Sequence, residues 1–165
     1  MERIVNLFMG LDYMITIQQS KTADTRTCDV STVSKEQLIL SSNQHVQDVA
    51  KGMQFFASLL LEAANNHDHD KFSGIDHFHS DFVTKFEETG WWDNHRKVNR
   101  HHLLADDGVP EDVNLVDVID MIVDCVMAGM GRSGSVYPLE IKPEVLQAAF
   151  ENTVDLLKAQ VVVEG

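Results

Sequence analysis

The sequence predicts an all-α fold of five or six helices, preceded by a short extended arm. Two observations carry this prediction. After residue 30, apolar residues recur at spacings of three and four along several segments, most of which begin with a helix-capping residue or a proline, as expected for amphipathic helices. The first thirty residues show no such period. We therefore expect an arm over residues 1–30 and one helical domain over residues 31–165.

Composition narrows the classes of function. Thirteen Lys and Arg residues stand against 26 Asp and Glu residues, for a net charge of −13. A field of this sign repels nucleic acid and anionic membranes, so we expect neither as a partner. Two cysteines are too few for a disulfide framework, and no apolar run is long enough to span a bilayer. We expect a cytoplasmic protein, and the sequence leaves open whether it forms a homo-oligomer.

The arm and the first helix have different patterns. The arm is rich in β-branched and polar residues and is expected to form an extended segment or a short hairpin. Two candidate capping boxes follow, at Ser34–Gln37 and Ser41–Gln44, so either one helix begins at one of them or two helices abut. Apolar residues then recur from Val46 to Leu60, which predicts an amphipathic helix of roughly twenty residues.

Two shorter helices are predicted next. Phe78, Phe82 and Phe86 recur every four residues after Gly74, which predicts a helix with one apolar face. The acidic and histidine side chains between positions 76 and 81 are expected on its solvated face. A further helix is predicted over residues 91–104, and it ends at a loop that contains Asp, Gly and Pro.

Asn114 and Pro143 mark the starts of the last two helices. Asn114 is a good capping residue before an apolar-periodic segment, and a proline is tolerated in the first helical turn. The first of these helices is expected to end near Gly129 and Gly131, with residues 129–135 forming a C-cap and turn. This glycine-rich stretch lacks the lysine of a phosphate-binding P-loop, and it follows a helix rather than a strand.

The distribution of histidines points to metal binding. All eight lie between His45 and His102, although the chain has 165 residues. Imidazole combined with carboxylate suits Mn, Fe, Co or Zn. Residues 67–70 alternate His and Asp and can offer two ligands from a short stretch of backbone, although a solvated polar loop would look the same. His95 and His102 are seven residues apart, which places them on one face of a continuous helix.

Three aspartates interrupt the apolar pattern of the helix that follows Asn114. Asp117, Asp120 and Asp124 recur at positions i, i+3 and i+7. On a solvated face they would form an ordinary polar side. If Asp124 turns inward, however, it must be paired or bound to a metal, because burial of a lone carboxylate is too costly.

The ordered set of these residues resembles a known family. His45, then His67-Asp68, then a later histidine group, then Asp124 on a helix resembles the HD-domain metal-dependent phosphohydrolases, over roughly residues 42–130. The resemblance implies an HD-domain-like helical fold and one or two divalent ions (Mn, Fe, Co, Zn or Mg). It also implies hydrolysis of a nucleotide or deoxynucleotide phosphate by metal-activated water. The metal ligands that it implies are His45, His67, Asp68, His95, His102 and Asp124.

Two further motifs refine the resemblance. His67-Asp68-x-x-Lys71 is similar to the HD-x-x-K variant of the cyclic-dinucleotide phosphodiesterase branch, but the Gly-x-Gly-Tyr-Pro signature of that branch is missing after His102. Residues 92–130 also resemble small phage and bacterial helical proteins with an HD-like pattern. The resemblance implies catalytic roles for Asp68, for Lys71 in offsetting phosphate charge and for His101 in protonating the leaving oxygen.

Two arginines are candidates for binding a substrate phosphate. Arg132 lies in the glycine-rich stretch and Arg26 in the arm, and a guanidinium can donate two parallel hydrogen bonds to phosphate. The plain alternatives are a surface turn and a solvated arm. For the whole chain, the alternative to a phosphohydrolase is a non-catalytic helical protein that binds metal for stability or binds a partner.

Overall fold

The computed structural model describes residues 14–20, 29–87, 89–104 and 108–164. Their contacts form two compact units. The second unit is Phe56–Leu156, and the first consists of the described residues before Phe56 together with those from Leu157 onward. Among the described residues, no helix combines the length and the apolar character needed to cross a membrane.

The all-α fold class with a short extended arm is confirmed. Two four-residue strands are the only strands in the part of the chain that the structure describes. The elements in chain order are β1 (Ile15–Gln18), α1 (Lys35–Asn66), α2 (Asp70–Ser73), α3 (Ile75–Val83), α4 (Trp91–Val98), α5 (Leu115–Ser133), α6 (Pro143–Gln160) and β2 (Val161–Glu164).

In the first unit, the arm contributes a strand, β1, whose partner among the described residues lies outside the arm. β1 pairs in parallel with β2, from Ile15 opposite Val161 onward. A parallel pair needs a long connection, so its second strand comes from the far end of the chain. The ammonium group of Lys51 donates a hydrogen bond of 2.8 Å to the carbonyl oxygen of Thr16, which connects α1 to the strand.

α1 begins at the first of the two predicted capping boxes. The Ser34 hydroxyl accepts from the amide of Gln37 at 3.2 Å, and the Gln37 side chain accepts from the amide of Ser34 at 2.8 Å. Ser41, in the second candidate box, is buried inside the same helix. One helix therefore begins here, at Lys35, and it does not start twice.

α4 is shorter than the sequence predicts. It ends at Val98, because Asn99 takes an extended conformation with φ −103° and ψ 112°. His101 and His102 consequently lie in a turn after the helix. The expectation that His95 and His102 share a face of one helix is therefore wrong, although their rings do meet.

α5 begins as predicted and ends later. The Asn114 side chain accepts from the amide of Val116, and Asp117 completes a capping box with the Asn114 backbone. The helix continues through Gly129 to Ser133, and the C-cap is Gly134, whose φ of 69° is easily adopted by glycine. The helix end is thus displaced from the expected glycines by a few residues.

The buried core of the second unit determines which side of α5 is left for other contacts. Val118 and Met121 on α5 face this core. Asp117 and Asp120 each precede one of them and point about 100° away around the helix. The core consists of Leu103, Val113, Val118, Met121 and Ala149.

Candidate metal centre

Asp68 is the centre of a histidine and aspartate cluster in the second unit. It lies between α1 and α2 with a φ of 53°, in the left-handed region that Asp tolerates better than most residues. Its Oδ1 lies 3.3 Å from Nε2 of His95 and 3.7 Å from Nε2 of His101. Its Oδ2 accepts a hydrogen bond from the ammonium group of Lys71. This turn therefore presents both carboxylate oxygens to other side chains.

The open side of Asp68 consists of His67, Asp120 and Asp124. The Nδ1 atom of His67 lies 2.9 Å from Oδ1 of Asp120. An ionised carboxylate can only accept, so Nδ1 donates, and in the neutral ring Nε2 carries the lone pair. That Nε2 atom lies 3.4 Å from Asp68 and 3.7 Å from Asp124. A histidine held by a carboxylate on one nitrogen and free on the other is the usual arrangement of a metal ligand.

The buried side consists of His95, Asp70 and Asn99. The His95 side chain is 0% exposed, and its Nδ1 lies 2.9 Å from Oδ2 of Asp70. The Asn99 amide also donates to Asp70, at 2.9 Å. Burial raises the pKa of Asp70, but the hydrogen bonds from Asn99 and His95 outweigh it and lower the pKa overall. Asp70 therefore stays ionised and directs the Nε2 lone pair of His95 toward Asp68.

Two tryptophans cover the buried side. The indoles of Trp91 and Trp92 stack on the imidazole of His95, with ring centroids 4.5 Å and 5.3 Å apart. Trp91 is buried, whereas Trp92 is partly exposed. Aromatic packing of this kind fixes the plane of the imidazole and keeps water away from it.

His101 and His102 lie between the two sides. The rings of His101 and His67 are stacked, with centroids 4.3 Å apart. The rings of His102 and His95 pack edge to face, with centroids 4.8 Å apart. Burial lowers the pKa of His102 to about 4, and burial is also the main cause of a lowered pKa at His101. Both rings are therefore neutral near pH 7, which is the form that binds a metal.

Four buried atoms in this cluster have no hydrogen-bond partner among the described residues. They are Oδ1 of Asp68 and the Nε2 atoms of His95, His101 and His102. In the neutral tautomer with its proton on Nδ1, Nε2 of His95 and Oδ1 of Asp68 would be two acceptors facing each other at 3.3 Å. Buried acceptors without donors are costly, and a divalent cation would satisfy them together. The donor set therefore fits a metal ion.

Four groups of three side chains in the described structure could hold a metal ion, with their ligand atoms within 4.8 Å of one another. Asp68 belongs to three of them and His101 to two. The groups are His67–His101–Asp120, Asp68–His101–His102, His67–Asp68–Asp124 and Asp68–Asp70–His95.

The charge of the cluster also favours a cation. Burial raises the pKa of Asp68, but the interactions with His95 and Lys71 outweigh it and hold this pKa well below its usual range. The cluster carries four aspartates, and Lys71 is the cation bonded to one of them. A divalent ion would offset this negative charge.

Most of the predicted site residues meet in this cluster. His67, Asp68, Lys71, His95, His101, His102 and Asp124 are brought together.

Three further predicted site residues have other placements. His45 is exposed in the first unit, and none of the four candidate groups includes it. Arg132 is exposed in the last turn of α5, about 12 Å along the helix from Asp124 at 1.5 Å per residue. Arg26 lies outside the described residues.

Sequence reasoning missed three residues that hold the ligands. Asp70, Asn99 and Asp120 each contact a cluster histidine. Asp120 had a signal, because it lies four residues before Asp124 and so on the same face of α5. Asp117, the third member of that stripe, instead forms two hydrogen bonds with Arg100 at 2.8 Å and 2.9 Å.

No family model matches the chain, and searches of curated proteins and of solved structures find no similar protein. The resemblance to HD-domain phosphohydrolases stays an expectation from the sequence.

Proposed function

We propose that the chain is a divalent-metal-dependent phosphohydrolase that acts on a nucleotide or deoxynucleotide phosphate. The observation that carries the proposal is the convergence of unpartnered histidine and aspartate atoms on Asp68, next to Lys71. The nucleotide class rests on the family resemblance. A divalent ion at such a centre supplies Lewis-acid polarisation of a phosphoryl oxygen and a more acidic water.

The side chains of the open side would bind and orient the substrate. His67 is 26% and Asp124 33% exposed, so a small anion can reach them once the negative charge of the cluster is offset. Lys71 is 31% exposed at the side chain and bonds only one oxygen of Asp68. Its ammonium group would donate to an equatorial phosphate oxygen and offset the charge that develops there.

The buried side would hold the centre in place. Asp70 and Asn99 fix the tautomer of His95, and the tryptophans exclude water from it. His101 is 3% exposed, and its two nitrogens face carboxylates at 3.5 Å and 3.7 Å. This placement favours a ligand role for His101 over the predicted role as a proton donor to the leaving group.

The burial of His95 and His101 supports a second candidate function. Closed, fully liganded sites are typical of structural metals, whereas catalytic sites keep an open position. The chain would then be a non-catalytic metal-binding protein whose ion stabilises the second unit. The exposure of the open side favours the enzyme.

Metal analysis combined with a hydrolysis assay tests the proposal. Purified protein is analysed for transition metals, and phosphate release is measured from a nucleotide panel with added Mn²⁺. Bound metal with turnover in the wild type and in His79→Ala, an exposed histidine of the same unit, but not in His67→Ala, would support the enzyme. Zinc that is removed only on unfolding, without turnover on any nucleotide, would contradict it and support the structural role.

A further inference from the structure

The loop after α3 holds two residues in a costly conformation. Lys85 and Phe86 both have positive φ, of 60° and 67°. A bulky side chain rarely adopts this region, and such strain persists only where surrounding contacts enforce it. We therefore expect specific contacts to hold this loop in place.

Hydrogen bonds to Asp81 hold the loop in this conformation. This residue is 0% exposed, contrary to its predicted place on a solvated helix face. Its carboxylate accepts from the amide of Thr89 at 2.6 Å and from that of Trp92 at 3.2 Å, and its carbonyl oxygen accepts from the amide of Phe86 at 2.6 Å. One buried side chain therefore joins the end of α3, the loop and the start of α4.

The loop places an aromatic surface beside the metal cluster. The ring centroids of Phe86 and Trp92 are 5.4 Å apart, and those of Trp92 and His102 are 5.5 Å apart. Phe82 extends the row, 6.0 Å from Phe86. Phe86 is 39% and Trp92 37% exposed despite these contacts. The row, Phe82–Phe86–Trp92, is thus packed on one side, accessible on another, and continuous with the histidines.

We propose that Phe86 and Trp92 form the base-binding part of the site, on which the nucleobase of the substrate stacks. This inference rests on the proposed function, because the cluster and Lys71 would take the phosphate of the same molecule. A nucleoside monophosphate separates its base from its phosphate by one sugar. Its base and its phosphate can therefore occupy the aromatic surface and the cluster, which meet where Trp92 contacts His102.

Stacking of the base is compatible with the negative charge of the protein. A nucleobase is uncharged, so the net charge of −13 does not repel it, and every base offers a planar face to an aromatic ring. The two phenylalanines of the row have no hydrogen-bond donor or acceptor, and Trp92 has a single indole N–H donor, so the row offers little to read the edge of a base. Stacking should therefore be tolerant of base identity.

Binding of a matched ligand pair tests the inference on the full chain. Deoxyribose 5-phosphate carries an anomeric hydroxyl where deoxyadenosine 5′-monophosphate carries its base, and the dissociation constants of both are measured by calorimetry with Mn²⁺ present. We expect the nucleotide to bind about tenfold more tightly, within the range reported for stacking on aromatic side chains. Phe86→Ala should remove this advantage without weakening deoxyribose 5-phosphate, and Phe86→Tyr should restore it.

Controls separate this inference from the proposed function. Tyr137→Ala removes an aromatic side chain that is 81% exposed elsewhere in the second unit and should change neither constant. Phe86→Asn suits the positive φ and gives a second stacking-deficient variant if Phe86→Ala does not fold. Equal affinity of wild type for both ligands, or an unchanged advantage in the Phe86 variants, would overturn the inference even if phosphate is released. A base-dependent advantage without any phosphate release would support the inference and contradict the hydrolase.

Discussion

On each side of Asp68, one histidine is hydrogen-bonded to an aspartate, but the two histidines differ in exposure. On the open side, Nδ1 of His67 is held by Asp120 at 2.9 Å, and on the buried side Nδ1 of His95 is held by Asp70 at 2.9 Å. The His67 side chain is 26% exposed, whereas that of His95 is 0% exposed. The chemistry of the ligand is thus the same, and only the access of solvent differs.

This difference in exposure predicts different roles for the two sides, metal retention for one and turnover for the other. Exposed ligands can exchange with water and substrate, so the open side is where a phosphate can enter. When a metal leaves the buried side, its ligand atoms remain there as acceptors without hydrogen-bond partners. This raises the free energy of the metal-free protein and so favours retention of the metal. We expect the buried side to dominate metal retention and the open side to dominate turnover.

Removal of the shared carboxylate is the strongest test, because it affects both sides. Asp68→Asn keeps a residue that tolerates the positive φ and removes the charge. We expect metal binding to be abolished, as measured by elemental analysis after dialysis. Asp76→Asn changes an exposed aspartate in the same unit and should retain the metal. Full metal content in Asp68→Asn would exclude Asp68 as a ligand.

Loss of the buried imidazole separates one metal from two. In a two-metal protein, His95→Ala or His102→Ala should cost one metal equivalent and leave the other on the open side. In a one-metal protein, the stoichiometry would stay unchanged and only substrate affinity or turnover would fall. Metal per chain is measured against wild type under matched loading, with His79→Ala, an exposed histidine, as the control. Loss of all metal in His95→Ala would show that the two sides do not act independently.

Lys71→Ala tests the open side without touching a ligand. The metal content should stay near that of wild type, while kcat/KM falls by about 10²-fold, the scale for one charge-stabilising donor. Lys97→Ala removes an exposed lysine from α4 and should change neither quantity. If hydrolysis in Lys71→Ala stays within about twofold of wild type, which is well below that scale, Lys71 does not contact the phosphate.

The smallest effects are expected from the residues that hold the histidines. Asp70→Asn and Asp120→Asn should each weaken metal affinity by about ten- to a hundredfold, the range for such partners of ligands. We expect the larger loss in Asp70→Asn, because water can reach the His67 ring and replace its lost partner but cannot reach the buried His95 ring. Competition with a chelator of known affinity measures both. Equal losses would show that burial does not distinguish the two sides.

Local signals account for the parts of the fold that were predicted. The capping box at Ser34–Gln37 and the side chain of Asn114 act on amides two or three residues away. Such contacts depend on neighbouring residues only, so the sequence shows them. The adjacent pair His67-Asp68 is readable for the same reason. The end of α4 at Val98 was not predicted, since it depends on Asn99 bonding to Asp70, 29 positions earlier in the chain.

The sequence by itself therefore determined the helical class, most helix starts and the presence of a histidine and aspartate centre. Only the tertiary structure decided that His101 and His102 turn back onto Asp68, and that Asp70 and Asp120 hold the ligands. It also decided that the arm pairs with the end of the chain. The physical reason is that caps and helical periods act over one turn. Burial and the direction of a lone pair depend instead on residues that only folding brings together.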